Sequence, residues 1–210
     1  MIDNYEILNN GVIKQIHKHK IIYDNNYINI RYNSYGEVVN YMSYLRYGYL
    51  IGILGYIPDS ILDIGYGNGS FLNVCKNTIK KCYGNDVSDY PIPEDCTFID
   101  DIFSKCFEVI CFFDSLEHFD DINFISKLNC KYIFISVPEC HYFSDEWFKN
   151  WKHRREDEHL YHFSKISLEN FFSENGYKMI NISNIEDIIR KPVDENTNII
   201  SAIFKKQNLL

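Results

Sequence analysis

No stretch of this 210-residue chain approaches the ~20 consecutive apolar residues that a membrane-spanning helix needs. Its longest apolar run, Tyr47 to Ile57, is broken by glycines, so no span is expected. The opening residues, Met1-Ile2-Asp3-Asn4-Tyr5-Glu6, lack a basic region followed by an apolar core, and the expectation is a cytoplasmic protein without a signal peptide. Paired cysteine motifs are also missing. The seven cysteines, at 75, 82, 96, 106, 111, 130 and 140, include no C-x-x-C and lie mostly in apolar contexts. Buried thiols in a reducing compartment are expected, rather than disulfides or a zinc site. An excess of basic residues is absent too, with 21 Lys and Arg against 29 Asp and Glu. This argues against long nucleic acid as a partner, although Lys152-His153-Arg154-Arg155 and His17-Lys18-His19-Lys20 form local basic runs. With no internal repeat and no linker rich in Gly, Pro or Ser, the 25.0 kDa chain is expected to fold as one domain.

What the chain does have is a D-x-G-x-G-x-G loop, Asp63-Ile64-Gly65-Tyr66-Gly67-Asn68-Gly69, directly after the apolar run Ser60-Ile61-Leu62. Alternate glycines let a backbone turn sharply at a strand end and approach a ligand closely. A helix can begin at about Gly69, with Phe71, Leu72, Val74, Cys75 and Ile79 toward a sheet and Asn73, Lys76, Asn77 and Lys80 toward water. The dinucleotide pattern G-x-G-x-x-G would place its third glycine at position 70, where Ser70 stands.

Lys81 to Asp86 reads as a second short strand ending in an acid, at the place where α/β cofactor folds hold a ribose diol. The alternative for Asp86 is a solvated turn residue beside Asn85 and Ser88. Cys96 to Asp101 reads as a third strand. Phe107 to Phe113 is a near-continuous apolar run, as a strand buried on both faces requires, and delivers Asp114-Ser115-Leu116-Glu117-His118 to its carboxyl end. Tyr132 to Val137, stopping at Pro138, makes a fifth strand. A helix over Ile166 to Glu174 ends at Asn175-Gly176, and Tyr177 to Ile182 and Ile199 to Phe204 form a last strand pair. Strands alternating with helices imply an α/β fold, a Rossmann-like doubly wound seven-stranded sheet with an antiparallel last strand and helices on both faces.

The acid two residues before the first glycine, the alternate glycines, and Asp114-x-Leu116-Glu117-His118 after the fourth strand resemble the class I S-adenosylmethionine-dependent methyltransferases over residues 42 to 205. The resemblance implies S-adenosyl-L-methionine as cofactor, contacted by Asp63, Gly65, Tyr66, Gly67, Gly69, Asp86 and Asp114. It implies an adenine contact from Asp100 or Asp101. The expected division is an N-terminal extension or cap over 1–41, a cofactor-binding half over 42–138, a lid or acceptor loop over 139–163, and a C-terminal helix and strand pair over 164–210. Within the cap, Val12, Ile13, Ile16 and Ile21-Ile22-Tyr23 suit a short helix or hairpin, and Met42 to Leu54 suits the helix before the first strand.

Both tryptophans and four histidines, 141, 153, 159 and 162, fall in the loop over 139–163, whose length argues for a functional role. Trp151, Arg154, Arg155, Asp157, Glu158 and His159 resemble a stretch of small methyltransferases of undefined substrate. Methyl transfer to a hydroxyl needs orientation and a proton acceptor, so His159 and His118 are the catalytic candidates. Arg154, Arg155 and His162 are the acceptor-binding candidates, an anionic group suiting the arginines; a solvated basic turn paired with Glu156, Asp157 and Glu158 is the structural alternative. Glu117, His118 and a later histidine resemble the ligand set of certain metal-dependent RNA and quinone-precursor methyltransferases, but the few oxygens offered suit hard cations poorly, and no metal is assigned. The motifs of amino-methylating and cytosine-C5 DNA enzymes, N/D-P-P-Y/W and Pro-Cys, are absent.

The function expected is methylation of a small-molecule or glycan-type acceptor, at oxygen, by a protein compatible with a homodimer. A nucleotide-dependent oxidoreductase and a catalytically silent cofactor-binding scaffold are the alternatives.

Overall fold

The computed structural model describes residues 2–19 and 36–207. Two short strands, β1 (Tyr5–Ile7) and β2 (Ile13–Gln15), open the chain as an antiparallel pair. This is the hairpin form of the N-terminal expectation; Lys20 and Ile21-Ile22-Tyr23 lie outside the described residues. Helix α1 (Val38–Leu54) begins four residues before the expected Met42 and stops at Gly55, whose φ of 74° closes it with a 2.8 Å bond from its N–H to the Ile51 carbonyl.

The strands follow the apolar runs. β3 (Ser60–Ile64) leads through the glycine loop to α2 (Ser70–Cys75), then β4 (Lys81–Asn85), β5 (Cys96–Phe98) and β6 (Phe107–Phe113). β7 (Cys130–Pro138) runs one residue further than expected and takes in Pro138. The segment expected to be a long loop carries a helix, α3 (Asp145–Asn150), and a two-residue strand, β8 (Tyr161–His162). α4 (Lys165–Glu174) starts with a capping box, in which the Ser164 hydroxyl accepts from the Ser167 N–H and the Ser167 hydroxyl accepts from the Ser164 N–H. β9 (Tyr177–Ser183) and β10 (Ile199–Lys206) finish the fold as an antiparallel pair.

Seven strands form one sheet in the order β5-β4-β3-β6-β7-β10-β9, with β4–β5, β3–β4 and β3–β6 parallel. This is the mixed α/β, Rossmann-like sheet that the sequence pattern implies. A second sheet, β1-β2-β8, is a feature the sequence pattern does not announce: it joins residues 13–14 to residues 161–162, so the C-terminal end of segment 139–163 is a paired strand.

By packing, the chain forms two compact units, one of residues 2–19, 114–126 and 136–207, the other of residues 36–113 and 127–135. The core of the second is aromatic around β6. Phe113 meets Phe71 at 4.7 Å and Phe134 at 4.9 Å, both edge to face, and the Arg46 guanidinium lies 4.3 Å from its ring centroid. In the first unit, Phe172 and Phe204 stack at 4.0 Å beneath α4 and β10.

Candidate functional site

The glycine loop is held by its own backbone and by one side chain. Gly65, Gly67 and Gly69 all have positive φ, at 80°, 55° and 74°. The Gly65 N–H donates to the Asn85 carbonyl at 2.7 Å, fixing the loop to the end of β4, and the Gly67 N–H donates to the Asp86 carboxylate at 2.8 Å. Gly69 caps α2, and a Cβ there would stand 2.5 Å from Pro93 Cγ. Only glycine satisfies both the left-handed φ and that contact.

Asp86 therefore combines a role that neither sequence reading described, holding Gly67, with the local turn contact of the alternative reading. One oxygen anchors the glycine loop, and the other accepts the Ser88 N–H at 2.8 Å. A carboxylate offers about four acceptor positions, so the group that positions the loop retains capacity for a ligand hydroxyl. Beside it stands Val87, an apolar residue 81% exposed, which the sequence pattern did not single out. Asp101 accepts the Phe103 N–H in a local turn at 2.9 Å, whereas the Asp100 carboxylate has no partner among the described residues. The Tyr66 hydroxyl donates to the Tyr90 carbonyl, and burial pushes its pKa up to about 12.

Asp63 is fully enclosed. Burial, opposed by Arg46 and reinforced by Asp86, raises its carboxyl to about 7, and its Oδ1 has no hydrogen-bond partner among the described residues. Ser88 Oγ is likewise buried without one.

In the other unit, β6 is followed by Asp114, a non-glycine residue with φ of 51°. Its N–H donates to the Ser136 carbonyl, and both carboxylate oxygens meet Arg190, at 2.8 and 2.9 Å. Arg190 also donates to Glu186, which is wholly buried. Asp114 thus takes part in an ion pair that its sequence neighbourhood gave no sign of.

A 3-10 turn, Leu116–His118, places Glu117 and His118. The Leu160 N–H donates to the Glu117 carbonyl at 2.7 Å, and this single backbone bond brings His159 alongside. The His118 and His159 rings meet edge to face with centroids 4.7 Å apart. His159 is 3% exposed, and burial and the neighbouring His118 hold its pKa well below the usual range, so the ring is neutral at pH 7. Its Nδ1 lies 2.8 Å from the His153 carbonyl, which requires the proton on that nitrogen. Nε2 then carries the lone pair, and it is buried without a hydrogen-bond partner among the described residues. A carboxylate oxygen of Glu117 and one ring nitrogen each of His118 and His159 lie within 4.8 Å of one another.

The remaining candidates are placed differently. His162 is 3% exposed, among Tyr5, Phe148 and Trp151, with its pKa pulled down to about 3 by burial. His153, next to Asn198 Oδ1 at 2.9 Å, is lowered by burial to about 4. Arg154 and Arg155 pair with Glu156 at 3.6 Å and Glu158 at 2.9 Å, the arrangement of the basic-turn alternative. Asp157 accepts from the Gln15 side-chain amide and the His19 N–H, while the Gln15 side-chain oxygen Oε1 accepts the Asp157 N–H. Those bonds fasten segment 139–163 to the N-terminal strand pair. Of the cysteines, five are buried as expected, but Cys96 is half-buried and Cys106 exposed.

Residues 57–182 match the family model described as a methyltransferase domain. The chain belongs to that family. The methyl donor of its class I members is S-adenosyl-L-methionine, and the match sets the chain apart from the oxidoreductase alternative. Among solved structures, the Burkholderia thailandensis 1,6-didemethyltoxoflavin-N1-methyltransferase, with its substrate and S-adenosylhomocysteine bound, is 12% identical, with a TM-score of 0.59 over 98% of this chain and 100% of that one. The magnesium protoporphyrin IX methyltransferase of Synechocystis PCC 6803, with bound SAH, is 13% identical with a TM-score of 0.56 and covers 90% of each chain. A Haloferax volcanii methyltransferase in complex with the Trm112 activator is 14% identical, with a TM-score of 0.55 over 75% of this chain and 88% of that one. These neighbours share the methyltransferase fold. No curated protein matches the sequence. No helix among the described residues of this methyltransferase domain is long and apolar enough to cross a membrane.

Proposed function

We propose that this domain transfers the methyl group of S-adenosylmethionine to an oxygen of a small-molecule or glycan-type acceptor. The sulfonium of the donor supplies an electrophilic methyl group; the protein's share is to hold the donor, orient the acceptor and take its proton. Gly65, Gly67 and Gly69 give the donor a close backbone approach, Asp86 a ribose acceptor, Val87 an apolar face and Asp100 the free carboxylate for the adenine amino group. The observation that carries the assignment of oxygen chemistry is His159. It is neutral, its tautomer is fixed by the His153 carbonyl, and the lone pair on Nε2 has no hydrogen-bond partner among the described residues. In this reading Nε2 takes the acceptor's hydroxyl proton as the oxygen bonds to the methyl carbon, with His118 as the neighbouring ring that assists. A protein that only binds the cofactor has no need of a tautomer-fixed base, which disfavours the scaffold alternative.

Glu117, His118 and His159 support a second reading, in which they hold a divalent cation. One carboxylate oxygen and two imidazole nitrogens suit a first-row transition ion better than magnesium or calcium, and the His153 carbonyl on His159 Nδ1 would orient that ring as such ligands are usually oriented. A cation there would bind the acceptor oxygen and acidify it.

One experiment separates the two. Turnover is followed as S-adenosylhomocysteine release over a panel of hydroxylated small molecules and sugars, for the wild type before and after chelation and for His159→Ala. With His159 as base, the variant loses roughly 100-fold or more in turnover while keeping its cofactor affinity, and chelated wild type stays active. Loss on chelation with recovery on adding manganese or cobalt moves the site to the cation reading. Full activity of His159→Ala rejects both roles for this side chain.

A further inference from the structure

β5 is the edge strand of the seven-stranded sheet, three residues long, and pairs only with β4. Its first residue, Cys96, stands in parallel register directly opposite Cys82. Register partners in a parallel pair present their side chains on the same face, with the strands about 4.8 Å apart. That spacing falls inside the 4.4–6.8 Å Cα window of disulfides and slightly beyond their usual Cβ separation. The two thiols interact electrostatically, each shifting the other's pKa, and the Cys82 thiol donates to the Ile79 carbonyl at 3.7 Å.

From this geometry we infer that Cys82 and Cys96 close a reversible disulfide that clamps the edge strand β5 to β4. The pair divides the labour that thiol exchange needs. Cys96 is half-buried on an open edge and accessible to a small oxidant, whereas Cys82 is 3% exposed and reached only from its neighbour. The interaction with Cys82, assisted by Lys76 and opposed by burial and Asp95, holds the Cys96 thiol below its ordinary pKa, which favours the thiolate. The same interaction with Cys96, and then burial, push Cys82 up, with Cys75 adding to the effect. The oxidant is a low-molecular-weight disulfide such as oxidised glutathione. The Cys96 thiolate attacks one of its sulfurs and expels one glutathione thiol; Cys82 then gives up its proton and attacks Cys96 in the mixed disulfide, expelling the second. Two protein thiols are oxidised, one glutathione disulfide is reduced, and the two thiol protons leave on two glutathione molecules. The few tenths of an ångström that the strands must close are available because β5 has no strand partner on its outer side among the described residues.

The consequence concerns the two acids that flank this strand pair. β4 runs into Asp86, and beyond β5 the Ile99 carbonyl accepts from the Asn85 side chain at 2.8 Å just before Asp100. Any effect on cofactor affinity rests on the function proposed above, so the test reads the bond and the strand directly. The full-length protein is incubated with oxidised glutathione, digested without reduction and mapped by mass spectrometry, with hydrogen exchange measured on the β5 amides and Cys96→Ser as control. A Cys82–Cys96 linked peptide, absent in Cys96→Ser and released by dithiothreitol, with exchange of residues 96–98 slowed at least tenfold, is the expected result. Recovery of Cys82 as a free thiol, linkage of Cys96 to Cys75 or Cys106, or unchanged exchange in the linked protein overturns the inference. S-adenosylhomocysteine binding to the reduced protein is measured in parallel, so failure of the cofactor assignment is seen separately from failure of the disulfide.

Discussion

Asp63→Asn should make the domain more stable, and increasingly so as pH rises. In the folded chain burial lifts this carboxyl from 3.8 to about 7, so it is protonated over a range in which the unfolded chain has it ionised. The sign follows from proton counting: the folded state binds more protons between about pH 4 and pH 7, so Asp63 lowers stability as pH climbs through that window. Each pKa unit corresponds to about 1.4 kcal/mol, so the penalty grows from about 1.5 kcal/mol at pH 5 to about 4 kcal/mol at pH 8. Asparagine keeps the shape and removes the titration, so the stability gap between variant and wild type should widen by about 2.5 kcal/mol from pH 5 to pH 8. The comparison must be made as a difference. His153 and His162 are lowered to about 4 and about 3, and His159 is lowered as well; they titrate the other way, adding stability as pH rises toward 6.5 in both proteins. Urea denaturation of the two proteins at pH 5, 6, 7 and 8 supplies the gap. A gap constant to within about 0.5 kcal/mol would refute the claim that burial holds Asp63 protonated.

Two further substitutions probe the cofactor loop. Asp86→Ala removes the acceptor for the Gly67 and Ser88 amides along with the ribose partner. S-adenosylhomocysteine affinity should fall by about 1.5–3 kcal/mol in calorimetry, and unchanged affinity would remove Asp86 from the site. Gly69→Ala forces a left-handed alanine, with its Cβ 2.5 Å from Pro93 Cγ, onto the α2 cap. It should cost about 2 kcal/mol or more in urea denaturation, and a loss under about 0.5 kcal/mol would show that the loop relaxes without strain.

The parts of the fold that were legible in the sequence are those written by local physics. Phe107 to Phe113 is a strand because a parallel sheet buries both faces and leaves one unbroken apolar run, and its bounds agree with expectation to the residue. Asp63 to Gly69 announces its turn because positive φ at alternate positions demands glycine. What stayed hidden depends on partners far away in the chain. β8 is two residues in a stretch without periodicity, and it is a strand only because β2, nearly 150 residues earlier, pairs with it. Arg190 could not be tied to Asp114 by any pattern, nor could the meeting of His118 and His159, which hangs on one bond from the Leu160 N–H to the Glu117 carbonyl. Both histidines were singled out for their residue type and loop position, yet the fixed tautomer and the nearby carboxylate belong to the folded state alone. Asp86 was expected to bind ribose; its first task in the folded chain is to hold Gly67.

The most direct measurement is calorimetric titration of the reduced, purified protein with S-adenosylhomocysteine, using NADH as the comparison ligand. Saturable micromolar binding of S-adenosylhomocysteine, one per chain, and no heat from NADH are the expected result. Saturable binding of NADH with silence from S-adenosylhomocysteine would contradict it.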